Sequence, residues 1–551
     1  MLNKYLLRNQ KNIKKNRIFK ALKYLFTVLY LLNLTSCSDV DNEDKKTVFR
    51  YNEHTNISSL DPAFAKNQSN IWVVNQLFSG LVQLDDSLKV HPDIAKSWSI
   101  SADGKVYQFI LRNEVYFHKH FKFGKDSTRK VIASDFVYSF NRLNDKQVTS
   151  PGGWVLKNIQ NYFAQNDSTF VITLKESFPP FLGLLTMKYC SVVPKEIVDY
   201  YGNDFRSNPI GTGPFQFKLW VENIKLILRK NPIYYEKDSN NIQLPYLDAV
   251  AITFLPDKQS EFMQFIQGNL DFISGLDASY KDELLQKDGS LNTLYNSQIK
   301  MHKTSYLNTE YLGFYLNKID GKEPVHELIR KAINYGFDRD KMMLFMRNGI
   351  GISAKHGVVP IGLPSAKNVI GFNYDIQKAK NLVNEYQQLT GDFNPTVTVA
   401  TNSQYVDLCE FIQREVQKIG IKMNVEVVPP STLKQAKATG KFAIFRGSWI
   451  ADYPDAENYL SLFYSKNFAP DGPNYFHYVN KQFDQWYEKS FTITDDVERN
   501  LLYKKMDSLV MDSAPIVPLY YDEVLRFTHK NVNGLGINPI NLLNLKRVKK
   551  N

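Results

Sequence analysis

The sequence predicts an α/β protein whose sheet is at least partly parallel and whose 551 residues form more than one structural unit. One observation is a βαβ pattern over residues 394–430. A second is the chain length, since domains of ordinary size imply two to four units, or two lobes elaborated by insertions. A third is a set of alternating runs near residues 84–111, separated by turn residues, which is typical of antiparallel hairpins.

The βαβ pattern is the clearest local unit. Its first run, TVTVAT, is rich in β-branched residues and predicts a strand. Apolar residues then recur at helical spacing until Gly420, which is a usual helix stop. The run IKMNVEVV alternates apolar and polar residues and predicts a second strand, parallel to the first because a helix crosses between them. The apolar helix positions are Leu408, Phe411, Ile412, Val416 and Ile419.

Two further elements follow this unit. The run STLKQAKATGK predicts a helix, and FAIFRGSWI predicts the next strand. The acids that follow therefore begin at the carboxyl end of a sheet strand, which is the edge where ligands bind in open α/β sheets. Elsewhere a βα pair is expected over residues 250–269, and PVHELIRKAINYGF presents one apolar helical face. Asp338 is expected to cap the next helix, which ends near Gly349.

The amino terminus accounts for most of the positive charge. Residues 1–36 hold eight Lys or Arg and no acid, and without them the net charge falls from +12 to +4, which removes most support for nucleic-acid binding. The apolar run YLFTVLYLLNL is shorter than the roughly 20 residues of a membrane-spanning helix, so residues 1–36 are expected to be a signal peptide. LTSC resembles a bacterial lipobox, which implies lipidation of Cys37 and a tether over residues 37–47. The alternative is an ordinary signal peptide that is followed by a cysteine by chance, without lipidation.

Motifs of enzyme and metal chemistry are absent from the sequence. It contains no G-x-S-x-G, phosphate loop, G-x-G-x-x-G after a strand or H-E-x-x-H. His118 and His120 would share one face of an extended segment and suit half of a metal site, but a solvated hairpin edge is the preferred interpretation because further ligands are lacking. Cys190 and Cys409 lie in apolar surroundings and are expected to be buried thiols.

Three interpretations of the acids after the predicted strand remain open. Asp452 and Asp455 would suit a glycosidase pair, whereas DYPDAE is also rich in turn formers. The third interpretation follows from spacing. If RGSWIAD is extended, Arg446 and Asp452 point to one face about 20 Å apart, at 3.3 Å per residue. That distance suits the two ends of a peptide of about four or five residues, with its ammonium at Asp452, its carboxylate near Arg446 and its backbone along residues 448–450.

Several motifs occur in a characteristic order along the chain. SLDPAFAKNQSNIWVVNQLFSGLV contains S-L-D-P followed by L-F-x-G-L, and HPDIAKSWSISADGKVYQFILR contains P-D-x-A-x-S-W and D-G-x-x-Y-x-F-x-L-R. Further stretches in the same order are VIASDFVYSF, NPIGTGPFQF, LRKNPIYY, IRKAINYGFDRDKM, NYFHYVNKQFDQWYEKS and APIVPLYY. Together they resemble the extracellular solute-binding proteins of family 5, the peptide- and nickel-type binding proteins of ABC importers. The resemblance covers about residues 48–546.

This resemblance implies a two-lobed periplasmic-binding-protein fold, in its type II-like, large three-domain form. Its sheets are mixed, and an extra domain is inserted in the first lobe. The implied boundaries are 48–78, 206–305 and 519–551 for domain I, 79–205 for the inserted domain II and 306–518 for domain III. Ligand is expected between domains I and III, and lobe closure would present the complex to a membrane permease.

The resemblance also implies the residues that contact the ligand. SWIADYPDA is similar to the family's W-x-x-D-x-x-D-P segment, whose first aspartate binds a peptide ammonium. The expected ligand-binding residues are Asp452, Arg446, Ser448, Trp449 and Ile450 on one lobe and Lys66, Asn67 and Gln68 on the other. Ser448 replaces a common glycine and Ala456 a usual proline, and either change would alter the ligand size. Trp449 equally suits core packing, since alternation directs it away from Asp452. Asp455 and Glu457 are interpreted as turn residues.

The expected function is the capture of short peptides and their delivery to an ABC permease and ATPase complex. No catalytic residue, cofactor, bound metal or nucleic acid is expected, and the protein is expected to be a monomer. It would be exported and anchored to the cell envelope by its lipid. The same scaffold binding nickel, haem or an oligosaccharide is the alternative. More distant rivals are an envelope hydrolase using Asp452 and Asp455 and a structural or signalling lipoprotein that has lost transport.

Overall fold

The computed structural model describes residues 46–277 and 279–551. The chain divides into two units, Met1–Thr47 and Val48–Asn551, and every element below belongs to the second. The predicted signal peptide, Cys37 and most of the predicted tether lie outside the described residues. In the described ranges, no helix combines the length and the apolar character that a membrane crossing requires.

Strands occur along the whole second unit. They are β1 Val48–Asn52, β2 Val82–Leu84, β3 Val90–Pro92, β4 Ala95–Ile100, β5 Val106–Leu111, β6 Ile159–Asn166, β7 Thr169–Leu174, β8 Phe215–Val221, β9 Lys225–Lys230, β10 Ala249–Thr253, β11 Phe272–Ser274, β12 Ile299–Phe314, β13 Ile352–Ser353, β14 Thr396–Thr401, β15 Lys422–Val427, β16 Ile444–Ile450, β17 Ile516–His529, β18 Val532–Asn533 and β19 Lys549–Lys550.

Helices alternate with these strands and are most frequent between residues 327 and 513. They are α1 Gln68–Leu77, α2 Ala133–Asn144, α3 Phe181–Leu184, α4 Lys195–Tyr201, α5 Lys258–Ile266, α6 Lys281–Leu284, α7 Glu327–Tyr335, α8 Arg339–Arg347, α9 Ile376–Thr390, α10 Val406–Gln417, α11 Pro430–Ala438, α12 Glu457–Leu460, α13 Lys481–Ser490 and α14 Asp496–Ser513.

One large mixed sheet organises the molecule. Its strand order is β15-β14-β16-β12-β17-β11-β1-β10-β9-β8, and β13 pairs separately with β17. The pairs β1 with β10 and β14 with β15 are parallel, whereas β12 pairs with β17 in antiparallel fashion. The prediction of a partly parallel sheet is therefore confirmed.

Two long strands connect the two halves of this sheet. The 16 residues of β12 pair with the 14 residues of β17, and the register shifts between Ser305 and Thr309. The amino half of β12 lies on the side of β11 and β1, whereas its carboxyl half pairs with β16 from Asn308↔Ile450 onward. The chain thus passes from one half of the sheet to the other along β12 and returns along β17.

The predicted elements of the second lobe are present. The βαβ unit consists of β14, α10 and β15, and the lysine-rich run forms α11. The apolar face of PVHELIRKAINYGF is buried at Ile329, Ala332 and Ile333 of α7. The side chain of Asp338 accepts hydrogen bonds from the N–H groups of residues 340 and 341, as a cap of α8 should.

Strand β16 is covered on both faces, which explains its apolar sequence. Phe445 packs in one core cluster with Tyr311, whereas Ile444 packs in another with Leu312. Neighbouring residues of a strand point to opposite faces, so both clusters contact the same strand. A Cβ atom at Gly447 would lie 2.6 Å from Cζ of Tyr311, so the tyrosine ring occupies the space that a larger residue would need.

A separate antiparallel sheet lies within residues 79–205. Its order is β4-β5-β7-β6, and β4 pairs with β5 as a hairpin. This arrangement confirms the hairpin predicted near residues 84–111. The buried apolar residues around it form their own cluster, distinct from the cluster that packs around β1, α1 and β10. Both predicted thiols, Cys190 and Cys409, are buried and free.

Candidate ligand-binding cleft

The turn after β16 presents Asp452 to solvent. The N–H of Ala451 donates to the carbonyl of Leu307 at 2.9 Å and continues the ladder with β12. Asp452 is the next residue and is exposed. Its N–H donates to Oδ1 of Asn458 at 3.3 Å, and Nε1 of Trp449 donates to the same oxygen at 2.9 Å. The buried Asn458 side chain therefore holds the turn in place.

Asp452 lines a cavity of about 340 Å³. Four of the eight predicted ligand-contact residues lie on its wall, Ile450 and Asp452 from one lobe and Lys66 and Gln68 from the other. Aromatic and polar residues complete the lining, including Trp72, Trp154, Lys188, Tyr189, Tyr306 and Asn541. The structure thus brings two segments almost 400 residues apart in sequence to one cavity.

The carboxylate of Asp452 is short of stabilising partners. Desolvation by the surrounding protein raises its pKa above the ordinary value, and the Asn458 side chain offsets this rise only in part. In the described part of the chain no cation forms an ion pair with it. Across the cavity, burial and the charge of Asp452 together raise the pKa of Tyr189 to about 12. A cationic group entering this cavity would therefore be stabilised by Asp452.

The outer edge of β16 is open next to this cavity. Because the N–H of Ala451 faces β12, alternation turns the main-chain groups of residues 446, 448 and 450 to the other edge. On that edge β14 pairs with β16 only as far as Phe445. Beyond Phe445, no strand of the described residues pairs with this edge. An extended peptide could therefore add to the sheet there.

Arg446 is engaged within the protein. Its Nη2 donates to Oε2 of Glu310, and its guanidinium carbon lies 3.2 Å from the centre of the Tyr405 ring. Arg446 and Glu310 are only 9% and 4% exposed. Burial raises the pKa of Glu310, and the charge of Arg446 opposes that rise. The predicted contact of Arg446 with a ligand carboxylate would require Arg446 to exchange Glu310 for the ligand, and it stays a prediction.

A second cavity, of about 550 Å³, adjoins the first and shares Tyr306 and Asn541 with it. Tyr405 and Arg347 are among its other lining residues. Nη2 of Arg347 lies 2.6 Å from Oδ1 of Asp522, so its charge is also compensated. The two cavities together form a cleft that begins at Asp452 and reaches the ring that covers Arg446.

The opposite wall of the cleft is built by the start of α1 and by the loop near residue 541. Asn67 precedes α1 and does not line the cavity, whereas the neighbouring Gln68 does. Nε2 of Gln68 and Nε1 of Trp72 both donate to the carbonyl of Asn541, at 3.3 and 2.7 Å. These bonds fix the wall that faces Asp452.

The other predicted contact residues lie near the cavity but not on its wall. Trp449 packs against the core of the second lobe, which confirms the face that alternation assigned to it. Ser448 pairs with Glu310 across the ladder and is half-buried. Sequence reasoning missed Lys188, Tyr189 and Trp154, because no local pattern marks residues that reach a cavity only through packing of the inserted segment.

The interpretation of Glu457 as a turn residue is wrong. Its side chain is 4% exposed and accepts hydrogen bonds from the hydroxyls of Tyr453 and Tyr487. Burial raises its pKa to about 7. Asp455 does belong to the turn, where Oδ1 accepts the N–H of Glu457 at 2.9 Å. Asp455 lines a different cavity from Asp452, so the two carboxylates do not face one substrate as a glycosidase pair would.

The solvated edge expected at His118 is also wrong. His118 is 1% exposed, and its ring nitrogens contact Gly213 O at 3.0 Å and the N–H of Gly211 at 3.2 Å. Burial lowers its pKa to about 4. His120 contacts the hydroxyl of Tyr201. Within the described ranges, no group of three His, Cys, Asp or Glu side chains could hold a metal ion.

The fold and the cleft define a two-lobed α/β binding protein. Residues 89–471 match the model of the bacterial extracellular solute-binding proteins, family 5 (Middle). The match covers more than half of the chain, and the chain belongs to this family. The family consists of substrate-binding proteins of ABC importers rather than enzymes, and its description places its members outside the cytoplasm.

Among similar proteins is the glutathione-binding protein GsiB of Escherichia coli O1:K1, which is 25% identical over 495 residues, or 88% of this chain and 91% of that protein. Among solved structures, the periplasmic binding protein DppA of Helicobacter pylori in complex with the peptide STSA is 26% identical. Its TM-score is 0.74, with 92% of this chain and 99% of that chain covered. HbpA2 of Haemophilus parasuis has a TM-score of 0.80 at 22% identity, covers 92% and 100% of the two chains, and supports the fold.

Proposed function

We propose that this protein captures short peptides in the cleft between its two lobes and delivers them to the permease and ATPase of an ABC importer. The observation that carries the proposal is Asp452, an acid that pairs with no cation of the described residues. It lies on the wall of a cavity, two residues after a strand whose outer edge is open. A peptide supplies both an ammonium and a main chain able to pair with such a strand. The similar proteins named for glutathione and crystallised with STSA support the same ligand class.

The proposed pose follows from this geometry. The α-ammonium donates to the carboxylate of Asp452, and the peptide backbone pairs with residues 448 and 450 on the open edge of β16. Lys66, Asn67 and Gln68 face the ligand from the other lobe. The combined cavities, of about 340 and 550 Å³, are in the size range of small-ligand sites, roughly 300–1,000 Å³. Because main-chain contacts do not read side chains, binding would tolerate many sequences.

Closure of the lobes would bury the ligand. We place the boundaries at 48–78, 206–305 and 519–551 for domain I, 79–205 for domain II and 306–518 for domain III. The chain crosses between domains I and III along β12 and β17, whose register shift near Ser305 offers a hinge. A ligand that contacts both lobes stabilises the closed state by the contacts it makes only there, and that state is the one a permease would recognise.

The test begins with ligand identification. The soluble form, starting at residue 38, is purified and denatured, and the released ligand is analysed by mass spectrometry. Peptides of a narrow length range are expected, whereas nickel, haem or an oligosaccharide would establish the alternative ligand and overturn the proposal. Asp452→Asn should then weaken peptide binding by roughly 10- to 100-fold, as loss of a charge-assisted hydrogen bond does. Asp471→Asn removes an exposed acid of the same lobe and is the matched control.

We infer further that the protein is exported and attached to the cell envelope through a lipid on Cys37. The support is the run LTSC after a basic, apolar leader. Metabolic labelling with a radioactive fatty acid should mark the wild-type protein in membranes. Cys37→Ser should appear unlabelled in the soluble fraction, and labelling of that variant would contradict the assignment.

A further inference from the structure

The wall of the cleft contributed by the inserted segment carries a lysine whose ammonium pairs with no acid of the described residues. Lys188 lines the same cavity as Asp452 and lies beside Tyr189, whose pKa is influenced by the charge of Asp452. Lys188 is half-buried at the start of a short 3-10 turn over residues 188–190. It belongs to residues 79–205, so neither wall predicted from the sequence includes it.

The neighbouring charged groups are committed to other partners. Asp93 accepts the N–H of Gly80 at 3.1 Å and the hydroxyl of Tyr235. Lys546 pairs with Glu236 at 2.8 Å and donates to Gln83 at 2.7 Å. The carbonyl of Lys188 accepts the N–H of Ser191 at 3.2 Å, but its ammonium forms no ion pair and no hydrogen bond with any described residue.

The ammonium of Lys188 is poorly stabilised by the protein groups around it. Burial lowers its pKa to about 8, the charge of Lys546 adds to this effect, and the charge of Asp93 opposes it. A cation that is desolvated without a partner is costly, and an anion bound beside it removes most of that cost. The cavity that Lys188 faces is where the ligand is proposed to lie.

We propose that Lys188 binds a side-chain carboxylate near the amino end of the ligand, so that the preferred substrates are short acidic peptides. The inference rests on the proposed function, since it takes the ligand ammonium at Asp452 as its reference point. The peptide carboxyl terminus would lie elsewhere, because the open edge of β16 leads from Asp452 toward Arg446. Lys188 contacts the first residues of the ligand from the side.

Two peptides that differ only in this charge test the inference. Glu-Ala-Ala-Ala and Gln-Ala-Ala-Ala, each with a free amino terminus, are titrated calorimetrically into the protein comprising residues 38–551. The wild-type protein should bind the acidic peptide roughly 10- to 100-fold more tightly, as expected for a charge-assisted contact. Lys188→Met should reduce that ratio to about twofold or less, whereas Lys188→Arg should restore a preference for the acidic peptide.

Lys157→Met is the matched control, because Lys157 is an exposed lysine of the same segment that lines none of the cavities described above. It should leave the ratio unchanged, and a thermal melt of each variant checks folding. Equal affinity of the wild-type protein for both peptides, or an unchanged ratio in Lys188→Met, would overturn the role of Lys188 and leave the proposed function standing. Binding of neither peptide by the wild-type protein would overturn both. If Lys188→Met weakens both peptides equally and amidating their carboxyl termini removes that weakening, Lys188 binds the terminal carboxylate and the preference for acidic side chains is wrong.

Discussion

Replacing Arg446 separates its role in the fold from its predicted role in ligand binding. Arg446→Met keeps most of the aliphatic stem but leaves the Glu310 carboxylate, which is 4% exposed, without its cation. Removing one partner of a buried ion pair typically costs about 3–5 kcal/mol, because the remaining charge stays desolvated. The variant also loses the contact with the Tyr405 ring. We therefore expect the free energy of unfolding to fall by about 3–5 kcal/mol.

The second substitution, Glu310→Gln, removes the negative charge that Arg446→Met leaves buried without a cation. It keeps an oxygen that can accept the amide of Asn308, which donates to Oε1 of Glu310 at 3.1 Å. The double variant Arg446→Met/Glu310→Gln should regain at least about half of the lost stability. Urea denaturation of all four proteins, monitored by fluorescence and circular dichroism, measures the cycle. If Arg446→Met is as stable as the wild type, the ion pair of Arg446 and Glu310 does not stabilise the fold.

The same variants decide whether Arg446 contacts the ligand. If its contribution is structural, the double variant should bind peptide within about threefold of the wild-type affinity. A loss of more than about tenfold in the double variant, with stability restored, would instead establish the carboxylate contact predicted from the spacing. Asp452→Asn, measured in the same titrations, tests the proposed contact with the ammonium at the amino end of the ligand.

Two further predictions concern lobe closure and pH. The ring of Phe178, in the inserted segment, lies 6.1 Å from that of Tyr453 and 5.8 Å from that of Phe491 in the second lobe. Phe178→Ala should raise the Kd of the peptide by roughly 5- to 100-fold, since each aromatic pair contributes about 0.5–1.5 kcal/mol to the closed state. The ring of Phe121 contacts only rings of its own segment among the described residues, so Phe121→Ala should not change the Kd. If both substitutions raise the Kd equally, Phe178 has no specific role in closure. The second prediction uses Glu457, whose pKa burial raises from 4.5 to about 7. The folded state keeps this proton up to about pH 7, whereas the unfolded chain releases it near pH 4.5, so the group lowers stability progressively as pH rises between these values. Between pH 4.5 and 7, the free energy of unfolding of Glu457→Gln should fall by about 3 kcal/mol less than that of the wild type. Parallel curves of unfolding free energy against pH for the two proteins would contradict this prediction.

The inserted segment, residues 79–205, lines the cleft, although the motif resemblance predicted no ligand-contact residue there. Lys188, Tyr189 and Trp154 all line the cavity with Asp452, and Phe178 contacts the second lobe directly. A segment that contacts both the ligand cavity and the opposite lobe can influence both specificity and closure. The experiments on Lys188 and Phe178 address these two effects separately.

Elements with local sequence signals could be predicted before the structure was known. The βαβ unit, the strand Ile444–Ile450, the cap at Asp338 and the hairpin of β4 and β5 follow from periodicity and from turn and capping residues. The longest of these signals spans residues 394–430, and within each element the spacing of apolar residues predicts which side chains share a face. The position of Asp452 at the end of a sheet strand follows from the same reasoning.

Contacts between groups that are distant in the chain became visible only in the folded protein. Arg446 looked free to bind a ligand because Glu310, its partner, lies 136 residues away in the chain. Glu457 and His118 looked solvated because Tyr487, one of the two partners of Glu457, and the partners of His118 come from other segments. Lys188 belongs to no recognisable sequence motif, yet packing places it on the wall of the cavity that Asp452 also lines. Burial and pairing are set by contacts between segments, so the charge that a ligand meets could be read only from the folded chain.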